Sequence, residues 1–476
     1  AFGVSALQLN TTGNDNCAIG YQALQQNTTG AQNVAVGANA LGANTTASFN
    51  TAIGKSALLN NTTGTQNIAI GTNCLDANTT GDFNVGIGVN CLTSSTTANN
   101  NTAVGLDTLK LNTTGEHNVA VGAFALDAST TASGNIAIGY TALGVNTTGN
   151  ENVAVGSFAL DANTTARFNT AVGQMALSAN TTAEANTGIG RTSLFANTTG
   201  SSNTGCGCAS LENNTTGALN NSFGHHSLDA NTTGSFNCAF GVHALGANTT
   251  ASDNVAVGVV ALELNTTGQQ NTAIGGRALK SNTTSGDQTA VGYNCLLNTT
   301  GNQCTAIGNN AGVRNTTGTQ NTYLGRIAGF STGQTGSNNT YIGYNAQGTS
   351  DSTSNEIILG DANIAAIRCQ QTSLSGLSDR RDKTEIVDIP AGLDFINKLK
   401  PVKFKWQTRE GTSQDGKIRA GFIAQDLQEA QIGNEYLNLV YDENPDKLNA
   451  TMGNLLPVIV KAVQQLSAKV TALEAG

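Results

Sequence analysis

The chain has 476 residues, with 56 glycines, 4 prolines, 5% aromatics and a formal net charge of −9. That acidic balance argues against a polyanion-binding surface, so no nucleic-acid partner is expected. The longest apolar run, residues 455–460, is far too short to span a bilayer. No signal peptide is visible, and a start at Ala1, partway through a repeat, leads us to expect more chain upstream.

A glycine repeat organises most of the sequence. Gly20, Gly37, Gly54, Gly71, Gly88 and Gly105 are each 17 residues apart, and the series runs unbroken from Gly3 to Gly292. It loosens at Gly308, Gly325, Gly343 and Gly360, with steps of 16, 17, 18 and 17. The unit reads N-V-A-V-G-x-x-A-L-x-x-N-T-T-G-x-x.

Each column of the repeat has a physical reading. Ile19, Val36 and Ile53 precede the glycine, and Val34, Ile68 or Val85 lie two positions earlier, which is the period-2 pattern of a short strand. The residue between them is small (Ala35, Ala69, Gly86), so that face is expected to be approached by another backbone or chain. Leu24, Leu41, Leu58 and Leu75, four residues after the glycine, form a core column. The glycine suits a positive-φ turn or a close approach, and N-T-T-G is turn chemistry. The Asn that opens each strand (Asn33, Asn50, Asn67) is expected to form a ladder from rung to rung.

One 17-residue unit cannot bury a core, but stacked units make each apolar column continuous. With a spacing of about 4.8 Å per rung, roughly twenty rungs give a column about 100 Å long. So little apolar material per rung predicts several chains packed together through the small-residue face. "NVAVGANAL" (33–41) and "NTAIGKSAL" (50–58) resemble the head repeats of trimeric autotransporter adhesins, and also repeats of phage fibre proteins. The resemblance covers roughly residues 1–345 and implies a trimeric parallel β-solenoid, or β-roll, so residues 1–347 read as the shaft. Residues 348–377 read as a last rung and a linker.

The composition changes at Ser378. Of 22 basic and 31 acidic residues, 13 and 14 fall within 378–476. "SDRRDK" (378–383), "LKPVKFKW" (399–406) and "GFIAQDLQEA" (421–430), followed by a C-terminal helix, resemble the intramolecular chaperone domain of endosialidases and phage tail spikes. Asp382 departs from that pattern, because the family often has an apolar residue there. The resemblance implies a small α+β domain that trimerises the upstream fibre and then cuts itself off between Leu377 and Ser378. It makes Ser378 the nucleophile and Lys383 its general base, with Asp379 the third residue of the candidate catalytic set. A serine hydroxyl needs such a base. Lysine can act as one only when burial or nearby cations such as Arg380 and Arg381 depress its pKa. Read by spacing alone, the same segment is also a helix N-cap, with Ser378 or Asp379 capping.

Met452, Leu456, Ile459, Val463, Leu466, Val470 and Leu473 follow a 4-3-4-3-4-3 heptad spacing, the seam of a coiled coil. Pro457 is tolerable only in a first helical turn, which starts the helix near Asn454. The alternative is a lone helix packed on its own domain.

Weaker signals remain. The cysteines sit in repeat columns and read as buried free thiols, with a Cys74–Cys91 disulfide as the alternative. His226 and His243 share a column on adjacent rungs, near His225 and Cys208, and read as outward side chains with no metal. N-T-T is formally a glycosylation sequon, although turn chemistry explains it. Taken together, the sequence predicts a homotrimeric virion fibre, exposed at the particle surface, with a self-cleaving C-terminal chaperone. A host-surface receptor or glycan is the candidate partner, and no cofactor or membrane insertion is expected. The rivals are a bacterial trimeric surface adhesin and an ice-binding solenoid.

Overall fold

The computed structural model describes residues 1–330, 333–364, 380–405, 417–442 and 448–475. Its first part is a parallel β-solenoid of twenty-one three-residue strands, β1 (Cys17–Ile19) to β21 (Ile357–Leu359). Consecutive strands pair in parallel with one rung of offset, as Ala18 with Ala35 and Ala35 with Ala52. The register survives the 16-residue step, where Thr289 pairs with Thr305, and the 18-residue step, where Thr322 pairs with Thr340. The missing residue is absorbed at the turn. There Thr299 occupies the column that Asn holds elsewhere, and Asn315 Nδ2 donates to its Oγ1 at 2.9 Å.

The Leu column is buried, with Leu24 through Leu177 fully inaccessible at every rung. It is not helical or extended. Leu24, Leu41 and Leu58 have φ near 50°, a left-handed conformation that costs a branched residue roughly 1–2 kcal/mol. Two other positions per rung are also left-handed, such as Asn39 and Phe49. Burial of the leucine and a backbone bond to the next rung hold it there, as where Leu41 N donates to Ala57 O at 3.0 Å. The repeat glycine meets both expected demands. Gly37 has φ 139°, and a Cβ there would lie 2.4 Å from Gly54 O on the next rung.

The small strand column corrects an expectation. Ala18, Ala35 and Ala52 are fully buried against their own chain, so that face is not the one left for neighbouring chains. A rung is thin, and its interior holds only the leucine, small residues and asparagine. The larger strand residues therefore point outwards: Ile19, Ile53, Ile138 and Ile274 are 39–44% exposed. The same geometry corrects the reading of the cysteines. Cys17 is exposed, and Cys206 and Cys238 are half-buried, because they replace those outward residues.

Interior volume is conserved between columns. Where the strand centre becomes Tyr323 or Tyr341, both buried, the Leu position becomes Gly312 or Gly329. A Cβ on Gly329 would lie 2.3 Å from the Tyr323 ring.

The C-terminal part is a small α+β unit. Strand β22 (Val402–Lys405) pairs antiparallel with β23 (Ile418–Gly421). Helices α1 (Leu393–Ile396), α2 (Ala424–Ala430) and α3 (Leu455–Glu474) surround a core of Phe395, Leu427, Leu437, Leu439, Leu455 and Val458. Residues 402–405 of "LKPVKFKW" thus form one strand of an antiparallel pair, and Trp406 lies outside the described residues. Among the described residues, no helix is long and apolar enough to cross a membrane.

Candidate functional site

The shaft contains two buried asparagine ladders, one expected and one not. In the expected one, Asn50 N donates to Asn33 Oδ1 at 2.9 Å and Asn50 Nδ2 to Gly64 O at 2.8 Å. The second is built from the Asn of N-T-T. Asn44 Nδ2 bonds Asn27 Oδ1 at 2.8 Å and Ala47 O at 3.0 Å. Asn27, Asn44, Asn61 and Asn78 are fully buried, so in the folded shaft these sequon amides are inaccessible to a glycan. The signal that could have revealed this ladder was the recurrence of Asn at this place in nearly every rung, with Ser95, Ser129 and Thr299 the exceptions. The first Thr of each pair also bonds between rungs, as Thr28 Oγ1 to Thr45 O at 3.0 Å. Only the second, such as Thr46 or Thr63, forms an exposed row.

Cys74 and Cys91 are both free and buried. A hydrogen bond with Cys91 and burial together push the Cys74 thiol far above its ordinary value, which makes it a poor thiolate. The imidazoles of His225, His226 and His243 gather at centroid separations of 4.1, 5.3 and 6.0 Å, and His226 Nδ1 lies 3.1 Å from Asp229 Oδ2. Among the described residues, no three His, Cys, Asp or Glu side chains are placed to hold a metal ion.

In the C-terminal unit, Leu377, Ser378 and Asp379 lie outside the described residues. A single 3-10 turn, Arg380–Asp382, follows them, and Lys383 N donates to Arg380 O at 3.3 Å. Arg380, Arg381 and Lys383 are exposed in the single chain. The segment after Lys383 is tied to helix α3 at two points. Lys461 Nζ lies 3.5 Å from Asp388 Oδ2, and Leu393 N donates to Gln465 Oε1 at 2.7 Å. The Gln465 contact is one that sequence reading missed, because it spans 72 residues. Gly392 leaves room for it: a Cβ there would lie 2.3 Å from Gln465 Oε1.

Helix α3 has two apolar faces. Leu455, Val458 and Ala462 are buried in the domain's own core. The seam residues Met452, Leu456, Ile459, Val463, Leu466, Val470 and Leu473 are 45–82% exposed. The helix therefore packs on its own domain, but not through the heptad seam. It begins at Leu455 with Pro457 in its first turn, as expected.

Residues 378–436 match the family described as chaperone of endosialidase, peptidase S74. The match begins at the serine where the composition changes. It spans the 3-10 turn, the hairpin and helix α2, and stops before helix α3. In a general sense the family implies serine-type self-cleavage and an intramolecular chaperone role in trimerisation. No curated protein and no solved structure matches the chain.

Proposed function

We propose that the chain is a homotrimeric fibre whose C-terminal unit aligns three shafts and then cuts itself off before Ser378. The observation that carries this reading is the uncovered seam of helix α3. Six apolar residues at heptad spacing, preceded by Met452 in the turn before them, are exposed on a helix whose other apolar face is already buried. A seam of that kind is satisfied by copies of itself. The outward Val and Ile columns of the shaft supply a second, continuous apolar face for the same assembly, in place of the small-residue face. Such an extended apolar surface is unusual on a protein that stays monomeric.

The cleavage chemistry is intramolecular, so proximity replaces substrate binding. In the proposed reaction Ser378 Oγ attacks the Leu377 carbonyl carbon while Lys383 accepts the hydroxyl proton. The peptide nitrogen leaves as the protonated amine of Ser378, and water hydrolyses the resulting ester. A lysine base needs burial or neighbouring cations, and one chain leaves Lys383 exposed. Assembly would supply that environment, since the segment after Lys383 is anchored on the helix that carries the seam. Repeats whose neighbours can slip by one rung need such an alignment device, which can be discarded once the shafts are paired. We place the fibre on a virion as a tail fibre or similar appendage for host attachment.

The test is expression of the intact chain with N-terminal sequencing of the small fragment, expected to begin at Ser378. Ser378→Ala should abolish the cut and leave the trimer intact. Lys383→Ala should slow cleavage about 10²–10⁴-fold, and Lys383→Arg should not rescue it. Ile459→Asp with Val463→Asp should block both the trimer and the cut. A fragment with another first residue, a cut in the serine variant, or a monomer that cuts would each overturn the reading.

A further inference from the structure

Three consecutive rungs carry an arrangement found at no other described rung. Phe124 and Phe158 occupy the same column two rungs apart, and Tyr140 projects from the rung between them, one column earlier. Their rings meet edge to face, at 6.0 Å and 90° for Phe124–Tyr140 and 5.4 Å and 77° for Tyr140–Phe158. Below them, Asp127 and Asp161 share a column, and the rung between has Gly144 in that place. The result is an open cleft of about 550 Å³ with an aromatic wall, two carboxylates, and a notch where a side chain is missing.

The backbone at Phe124 and Phe158 is left-handed. The column of Phe124 and Phe158 is left-handed throughout, and most rungs fill it with small or polar residues such as Asn39, Ser56, Asn73 and Asp107. Phenylalanine is a bulky side chain for that conformation. It occurs in this column at these two rungs only, with φ 60° at both.

The geometry points to a binding site for a neutral oligosaccharide. Ring faces stack on the C–H faces of a pyranose, and ionised carboxylates accept its hydroxyl hydrogens. An aromatic wall with a few convergent polar groups is the usual composition of a small-molecule site. Partial burial already pushes both carboxyls upward, so donors from a ligand would restore part of their lost solvation. The rings form a stair across three rungs, not a box closing on one point. That shape suits a ligand lying along the shaft more than a single cation held between ring faces. The carboxylates disfavour sialylated or uronate-rich chains. The site lies past the Gly139 corner from the outward strand residues Ile136 and Ile138, so it is separate from the face proposed for assembly. Glycan capture would give the fibre its attachment chemistry and rests on that reading only for its biological setting.

The test is an array of neutral, acidic and amino oligosaccharides probed with the full chain, followed by titration calorimetry of the neutral hits, with spermidine as the cationic probe. At least one neutral oligosaccharide should bind. Tyr140→Ala should weaken it at least tenfold. Gly144→Asn, whose Cβ meets only Thr141 O at 3.2 Å and otherwise lies in ordinary contact, should fill the notch and abolish binding while the circular dichroism stays unchanged. Tyr293→Ala, in the same column as Tyr140 and equally exposed, should bind normally. Binding of spermidine alone, neutral binding unaffected by Tyr140→Ala and Gly144→Asn, or no neutral ligand on the array would overturn the proposal. Each of these readouts is independent of cleavage and of chain number.

Discussion

Replacing Ser95 with Asn should stabilise the shaft. Between Asn10 and Asn282 the inner ladder of N-T-T asparagines is interrupted twice, by Ser95 and Ser129, and the four buried atoms left without partners around those breaks are Asn78 Oδ1, Ser95 Oγ, Asn112 Oδ1 and Ser129 Oγ. Serine is too short to reach the neighbouring rung. An Asn at 95 would donate to Asn78 Oδ1 and to Ala98 O, and its own Oδ1 would accept from Asn112 Nδ2. Intact rungs show the same pattern, as where Asn231 Nδ2 donates to Asn214 Oδ1 at 2.7 Å and to Gly234 O at 3.0 Å. Each added bond contributes about 0.5–1.5 kcal/mol net, and satisfying a buried acceptor removes a penalty of about 1–3 kcal/mol. Ordering the longer side chain costs up to about 2 kcal/mol. The balance is about 1–3 kcal/mol per chain. Long repeat arrays need not unfold in one step, so the readout should be local. Amide hydrogen exchange across residues 78–115 should slow by roughly 5- to 150-fold, because every 1.4 kcal/mol is a factor of ten. Thr97→Asn, in the exposed threonine row, should change stability by less than about 0.5 kcal/mol. Unchanged or faster exchange in Ser95→Asn would show that the ladder does not carry the stability assigned to it.

Three further outcomes are expected. Leu160→Ala should cost about 2–5 kcal/mol per chain as an interior cavity, against under about 0.5 kcal/mol for Gln25→Ala; equal shifts in melting would contradict the column assignment. Gly156→Ala should disrupt the rungs around it, at more than about 3 kcal/mol, because the residue has φ 137° and the new Cβ would lie 2.4 Å from Gly173 O; limited proteolysis should then cut the shaft there, and a protease-resistant variant would refute the packing. Partial burial pushes the Asp76, Asp127 and Asp161 carboxyls above their ordinary range, so the folded chain binds more protons than the unfolded one and these groups lower stability as pH rises past the ordinary carboxylate value. The triple Asn variant should flatten that fall in a pH series of denaturant midpoints, and an unchanged slope would show that the three groups do not cause it.

The sequence by itself determined the repeat, its period, the short parallel strands, the Leu core and the need for glycine at each corner. Each of these is a property of one column read down many rungs, and a column repeated that often leaves one physical solution. It also marked Ser378, where the family match begins, and the start of helix α3 near Pro457, since charge density and proline geometry are local. The tertiary structure decided which strand face turns inward. Alternation specifies two faces without saying which is core, and interior width selects Ala35 for the inside and Val36 for the outside. It also revealed the second asparagine ladder, because a turn residue and a buried rung residue look identical along the chain. Gln465 on Leu393, the exposed seam beside a buried face of the same helix, and the cleft spanning Phe124 to Asp161 depend on atoms brought together from distant positions or successive rungs. No local pattern records such distances, so only the folded chain displays them.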